Sequence, residues 1–253
     1  MTARSTDFFV LFALGFFAGL FLFYNGFKWM SRKRLIENTP TSKIRSLAVG
    51  LVEVFGVVEP FKETIVSPIM KKECVWYSFK VEELRRSGKN SRWVTVMSGT
   101  LGVPFFVRDD TGAVLVDPAN AQTEFSTDFT ASSSLLKEPP QQVKTFLKEH
   151  NYDYASFFLN KTMRFEEKFV CPGDSVYVLG TAGDNPFVEE TTAVKGVEDL
   201  MIAKSGDAPF FISDKPEKEI IASLGWKCWI GIIGGAVLSV GCLSGLLFVL
   251  GAG

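Results

Sequence analysis

One histidine and four cysteines are the residues of this chain best suited to chemistry. A general-base role for His150 needs a nucleophile within reach and an acid to orient the ring, and no such set is legible around it. Its place near the end of a predicted helix suits a cation facing the helix dipole instead. Cys74 and Cys171 stand alone in strand-like sequence, while Cys228 and Cys242 fall at or within an apolar run. No CxxC pair occurs, so neither a zinc ribbon nor a thioredoxin-type motif is present. A Cys74–Cys171 disulfide and two buried free thiols both stay open, the thiols being the plainer reading, because a bridge depends on geometry. Glu166-Glu167 and Glu189-Glu190 are adjacent acids, but strand neighbours point to opposite faces, so the first pair cannot act on one substrate. Ser132-Ser133-Ser134 reads as a polar loop that matches no hydrolase elbow. With no Walker sequence and no GxGxxG, the expectation is a chain without catalytic residues, cofactor or metal centre.

Binding groups are easier to find. Arg85, Arg86, Lys89 and Arg92 form the dense basic cluster in the polar middle of the chain. Such a cluster can meet anionic lipid headgroups, where each cation contributes about 1 kcal/mol, or an acidic protein partner; a solvated hairpin tip is the plainer reading. Gly15-x-x-x-Gly19, Gly231-x-x-x-Gly235 and Gly241-x-x-x-Gly245 have the spacing that lets helix backbones approach closely. They would pack the two apolar runs on each other, on a second copy in a homo-oligomer, or on another protein. The net charge of −1 argues against a nucleic-acid footprint.

The elements that carry those glycines are the apolar runs themselves. Phe8 to Phe27 and Trp229 to Leu250 contain no charged residue. At about 20 residues each is long enough to cross a bilayer core of roughly 30 Å as a helix. Lys28, Arg32, Lys33 and Arg34 follow the first run directly, whereas a signal peptide carries its positive charge in front; the run reads as an uncleaved anchor. Lys215, Lys218 and Lys227 precede the second. Both domain-side flanks are thus basic, which predicts a cytoplasmic domain with both termini across the membrane. Tyr24, Trp29, Trp226 and Trp229 sit where amphipathic rings favour the headgroup level. The expected plan is an anchor with a basic collar over 1–34, a β-rich soluble domain over 35–222, and a C-terminal transmembrane helix over 223–253.

Between the spans the pattern is strand and turn. Leu47 to Val58 reads as one or two strands broken at Gly56. Cys74 to Leu84 and Trp93 to Met97 predict a long hairpin with the basic cluster at its tip. Phe105 to Arg108 and Ala113 to Val116 predict a second, turned by Asp109-Asp110-Thr111-Gly112. A helix starts at Glu138-Pro139-Pro140 and carries Val143, Phe146 and Leu147 toward His150. Met163 to Val170, Ser175 to Leu179, Val194 to Ala203 and Phe210 to Ser213 return to strand, and Lys215 to Leu224 leads helically into the second span. Val103-Pro104-Phe105-Phe106-Val107-Arg108-Asp109 is similar to Ala208-Pro209-Phe210-Phe211-Ile212-Ser213-Asp214, each after a Val-rich strand ending in glycine, at Gly56 and Gly180. The expected fold class is therefore mainly β with minor α. It is a β barrel or sandwich-like soluble domain between two transmembrane helices, open to construction from two related β units.

The order span, β domain, span, with Gly50 to Pro60 (Gly-Leu-Val-Glu-Val-Phe-Gly-Val-Val-Glu-Pro), Ser67-Pro68-Ile69 and Glu73-Cys74-Val75-Trp76-Tyr77, resembles the GIDE domain family. Phe105 to Gly112 and Pro172 to Gly180 extend the likeness, which covers roughly residues 45 to 215. The resemblance implies a beside-the-membrane domain like that of a mitochondrial outer-membrane RING-type E3 ubiquitin ligase. A RING takes roughly eight Cys or His ligands, four for each tetrahedral zinc; this sequence holds four cysteines and one histidine. It is accordingly identified as a RING-less, prokaryotic-type member. The function expected is a membrane-anchored, non-catalytic interaction or scaffold protein, in contact with membrane lipid and a protein partner. The alternative is a substrate-recruiting component of a ubiquitin-like ligase system.

Overall fold

The computed structural model describes residues 3–38, 42–87, 90–134, 136–152, 155–156, 159–187, 199–215 and 217–251. Two units result: Met1–Pro40 with Glu217–Gly253, and Thr41–Pro216.

The first unit is helical. Helix α1 (Ala3–Asn38) continues through the basic collar, since nothing between Phe27 and Asn38 breaks a helix. Two further helices, separated by a π-helical turn at Ile230–Gly234, pack along α1. Phe8–Glu37 and Glu219–Val249 are long and apolar enough to cross a membrane, and only 6% and 11% of their apolar windows are buried. Phe17, Phe21, Val237 and Phe248 are among the large side chains left exposed, which no core helix of a water-soluble bundle would do.

Among the described residues the second unit holds fifteen strands and one α-helix, in chain order β1 (Gly50–Pro60), β2 (Ile65–Val66), β3 (Glu73–Cys74), β4 (Trp76–Ser87), β5 (Asn90–Gly102), β6 (Phe105–Arg108), β7 (Ala113–Val116), β8 (Gln122–Glu124), β9 (Phe129–Ser133), α2 (Gln141–Glu149), β10 (Ala155–Ser156), β11 (Leu159–Asn160), β12 (Met163–Val170), β13 (Ser175–Asp184), β14 (Leu200–Ala203) and β15 (Phe211–Ser213). The helices following it in the chain are α3 (Glu217–Trp229) and α4 (Gly235–Gly251). Strands β1-β6-β7-β14-β13 form a ring that the β1–β13 pairing closes, so the core is barrel-like. Val52, Val54, Val107, Val114, Val178 and Ile202 alternate into it, as period-two burial demands. β1 is not broken at Gly56. It runs on to Pro60, and the glycine is there because a Cβ would press on the Arg108 carbonyl carbon at 2.8 Å.

The repeated motif has a structural counterpart. Val57, Val58 and Glu59 of β1 face Arg108, Val107 and Phe106 of β6, and Tyr177, Val178 and Leu179 of β13 face Ser213, Ile212 and Phe211 of β15. The register therefore matches the sequence likeness of the two Phe-Phe segments. Gly56 and Gly180 are not equivalent in it, because Gly56 comes just before the paired Val57 whereas Gly180 comes just after the paired Leu179.

Strands β15 and β8 extend the ring's sheet beyond β13, β2-β3 and β10-β11 are short two-stranded pairs, and β5-β4-β12-β9 form a separate open sheet. Val143, Phe146 and Leu147 of α2 pack on its inner face with Val81, Met163 and Phe165. Burying each such side chain contributes about 1.5–3 kcal/mol. Ser132 and Ser133, expected in a loop, belong to β9, where Ser133 is buried and donates to the Lys161 carbonyl at 2.9 Å. Strand β8 is a further element that the residue pattern does not announce.

Candidate functional site

The β4–β5 hairpin presents the sequence-predicted cluster. Arg85 faces Arg92 directly and Arg86 faces Ser91, so like charges crowd the tip. Arg85 leans back to Glu83 at 3.4 Å. Arg86 and Arg92 are exposed, and among the described residues neither forms an ion pair. Lys89 lies outside the described residues. Below the tip, Arg164 of β12 bonds to Glu82 and lies over the Trp93 ring at 4.6 Å, linking three strands. With Lys80 at 2.7 Å, it holds the Glu82 carboxyl down to about 2.

β5 has a second property. It is the sheet's edge strand, and among the described residues no strand pairs with its far side. The strand is largely exposed, with Trp93 39% and Leu101 47% accessible. Natural edges are usually blunted by charge, proline or bulges. This one carries a bulge at Val96, because Val81 faces Met97 while Glu82 faces Thr95. Past the bulge, Met97–Gly102 holds neither charge nor proline. The pattern suggests that the strand ends at Met97. It continues because Phe79 covers Gly99, where a Cβ would meet Phe79 Cε1 at 2.6 Å.

The groups that suggest catalysis serve the fold. Glu166 and Glu167 do point to opposite faces; Glu167 is fully buried and accepts from Ile69 N at 2.7 Å, Met70 N at 2.9 Å and Ser67 Oγ at 3.3 Å. It ties the turn between β2 and β3 to β12. Glu189 and Glu190 lie outside the described residues. Asp109 accepts from Thr111 N at 2.6 Å, Gly112 N at 2.9 Å and Ile44 N at 3.0 Å. Burial alone would raise its carboxyl, but these bonds outweigh burial and hold it below the ordinary range. His150 caps α2, its Nδ1 2.9 Å from the Phe146 carbonyl oxygen. All four cysteines are free thiols, so there is no Cys74–Cys171 bridge. Burial pushes the Cys74 thiol up to about 12 and raises that of Cys171, away from thiolate reactivity. On the outer face of β1, Phe55 and Val57 floor a groove of about 710 Å³, rimmed by the Lys43–Asp110 and Arg108–Glu59 ion pairs.

Among the helices, the glycine positions divide. An added Cβ at Gly15 would meet Cys242 Sγ at 2.5 Å, at Gly235 Phe23 N at 2.6 Å, and at Gly245 Phe12 Cε1 at 2.7 Å; Gly19 lies against Ser239. Gly231 lies against Gly26, 2.6 Å from its Cα to an added Cβ. Gly241 has nothing within 4 Å of its Cβ position, so within this chain it does not meet α1. The stripe facing α1 runs Gly231, Gly235, Ser239, and Gly241 lies two residues past it, about 200° around the helix. Gly26 escaped the four-residue motif, though its seven-residue step from Gly19 places both on one helix face.

A GIDE family model, described as an E3 ubiquitin ligase, matches residues 78–248, from β4 into α4. The quoted segments before β4 lie outside that stretch, and the match takes in the second apolar helix. Comparison with curated proteins and with solved structures returned no match.

Proposed function

The chain belongs to the GIDE family, and from that premise we propose that it is a membrane-anchored, non-catalytic recruiting module. Its open sheet takes up an extended segment of a protein partner along β5. The unpaired far edge of β5 is the observation that carries this reading. Strand addition draws affinity from main-chain hydrogen bonds and specificity from alternate side chains. Arg86 and Arg92 at the tip favour an acidic end on the incoming segment. The domain lies on the cytoplasmic side, supported by the Lys and Arg that flank both spans on the domain side.

A photo-crosslinking residue at Leu101, introduced in native membranes, tests the edge. The expected result is one reproducible protein adduct that disappears in a Ser98→Lys variant, since an edge lysine blocks strand pairing. An adduct unaffected by Ser98→Lys would end the proposal. The family description favours one second reading, in which the recruited segment belongs to a substrate of a ubiquitin-like ligase whose zinc-bearing catalytic part is supplied by another domain. Isolation of an E2-type enzyme with the crosslinked complex would select it.

A further inference from the structure

The helical unit holds a crevice of about 360 Å³ lined by Met30, Lys33, Gly225, Trp229, Ile232 and Ile233, a volume within the range of small-molecule sites. Two backbone features make room for it. Gly225 presents no side chain, and the nearest neighbour of an added Cβ would be Lys33 Cε at 3.8 Å. The α-helix is interrupted just beyond Trp229 by the π turn Ile230–Gly234, and single π turns recur at functional sites.

Cys228 completes the lining, which is apolar apart from its thiol and one ammonium group. Lys33 is paired with Glu37 one turn on, at 3.2 Å, and both side chains are about one-third exposed, at 31% and 38%. An exposed pair at this spacing is weak and yields readily to a better anion. Lys28, Arg32 and Arg34 surround Lys33 in sequence, and α1 carries no acid between Phe8 and Ile36. Trp229, 66% exposed, forms one wall, and tryptophan marks the level where acyl chains meet headgroups. Basic pockets between membrane helices accept anionic lipid heads.

We infer that this crevice holds one glycerophospholipid with an anionic headgroup. Its phosphate sits on Lys33 in place of Glu37, and the first part of one acyl chain lies along Met30, Ile232 and Ile233. The site rests on the two helices crossing a bilayer and is independent of the β5 edge.

Native mass spectrometry of the full chain in neutral detergent, offered phosphatidylglycerol or phosphatidylcholine at equal concentration, tests it. The expected result is one phosphatidylglycerol retained per chain in preference to phosphatidylcholine. Lys33→Gln lowers phosphatidylglycerol retention about fivefold, the worth of one cation near the headgroup plane, and leaves phosphatidylcholine unchanged. Glu37→Gln raises retention, and Gly225→Leu, which fills the crevice, removes it. Lys28→Gln, outside the lining, stays at the wild-type level. Equal retention of the two lipids, no retention at all, or equal losses in Lys28→Gln and Lys33→Gln overturn the site, the last because it describes a diffuse field rather than a pocket.

Discussion

The barrel and the helix-backed sheet use similar strands but finish them differently. In the barrel the β1–β13 pairing closes the ring, so every wall strand has two neighbours and its tolerance is set by close backbone contact. The sheet is covered by α2 on one face and left open along β5. Closure removes the edge that another chain would pair with. A sheet that keeps an edge able to accept another strand forgoes the stability of closure and is stabilised by other means. Here those means are side chains: Glu167 under the turn after β2, and Arg164 across β4, β5 and β12.

The largest expected effect tests the barrel. Gly56→Ala drives a methyl into the backbone of Arg108 and lowers stability by about 4 kcal/mol, the exceptional end of single substitutions, read as lost thermal stability of the full chain by circular dichroism. Gly183→Ala in β13, with open space at its Cβ, leaves the same melt unchanged. If both behave alike, close packing is not what governs the barrel. Next, Glu167→Ala strips three hydrogen bonds from the buried turn and costs about 3 kcal/mol. Hydrogen exchange should locate the loss in residues 65–74 and β12 and leave the barrel protected.

Acid gives a smaller, graded effect. The Glu82 carboxyl is held at about 2 against an ordinary 4.5. A depressed carboxylate contributes stability above its unfolded value and loses it as pH falls through the folded one. The β4, β5 and β12 amides should therefore lose protection between about pH 4.5 and 2, and Glu82→Gln should remove that dependence. Smallest in stability is Ser98→Lys on the open edge, within about 0.5 kcal/mol of wild type, although it abolishes the crosslink at Leu101. A large melting shift in that variant would mean that β5 is part of the scaffold rather than a docking edge.

The hairpin β4–β5, the hairpin β6–β7, helix α2 and both apolar helices are legible from residue pattern, because each is specified by local periodicity and turn chemistry. The Ser132–Ser133 segment is not, since serine favours loops until a neighbouring strand and the Lys161 carbonyl claim it. Nor is the second half of β5, where Ser98 and Gly99 carry little strand preference and pairing with Lys80 and Phe79 of β4 makes them strand. Among the candidate binding groups, the basic tip and most of the glycine stripe could be named in advance. The edge that accompanies the tip could not, because an edge is defined by which strand does not arrive.

By itself, then, the sequence determined the span–domain–span order, the β character of the middle and the family likeness, all of which depend on composition and short-range spacing. Only the tertiary structure decided that β1 and β13 close a barrel, that β5 remains open, and that Gly26 rather than Gly241 meets the other helix. Those outcomes depend on pairings between residues far apart in the chain, which no local pattern encodes.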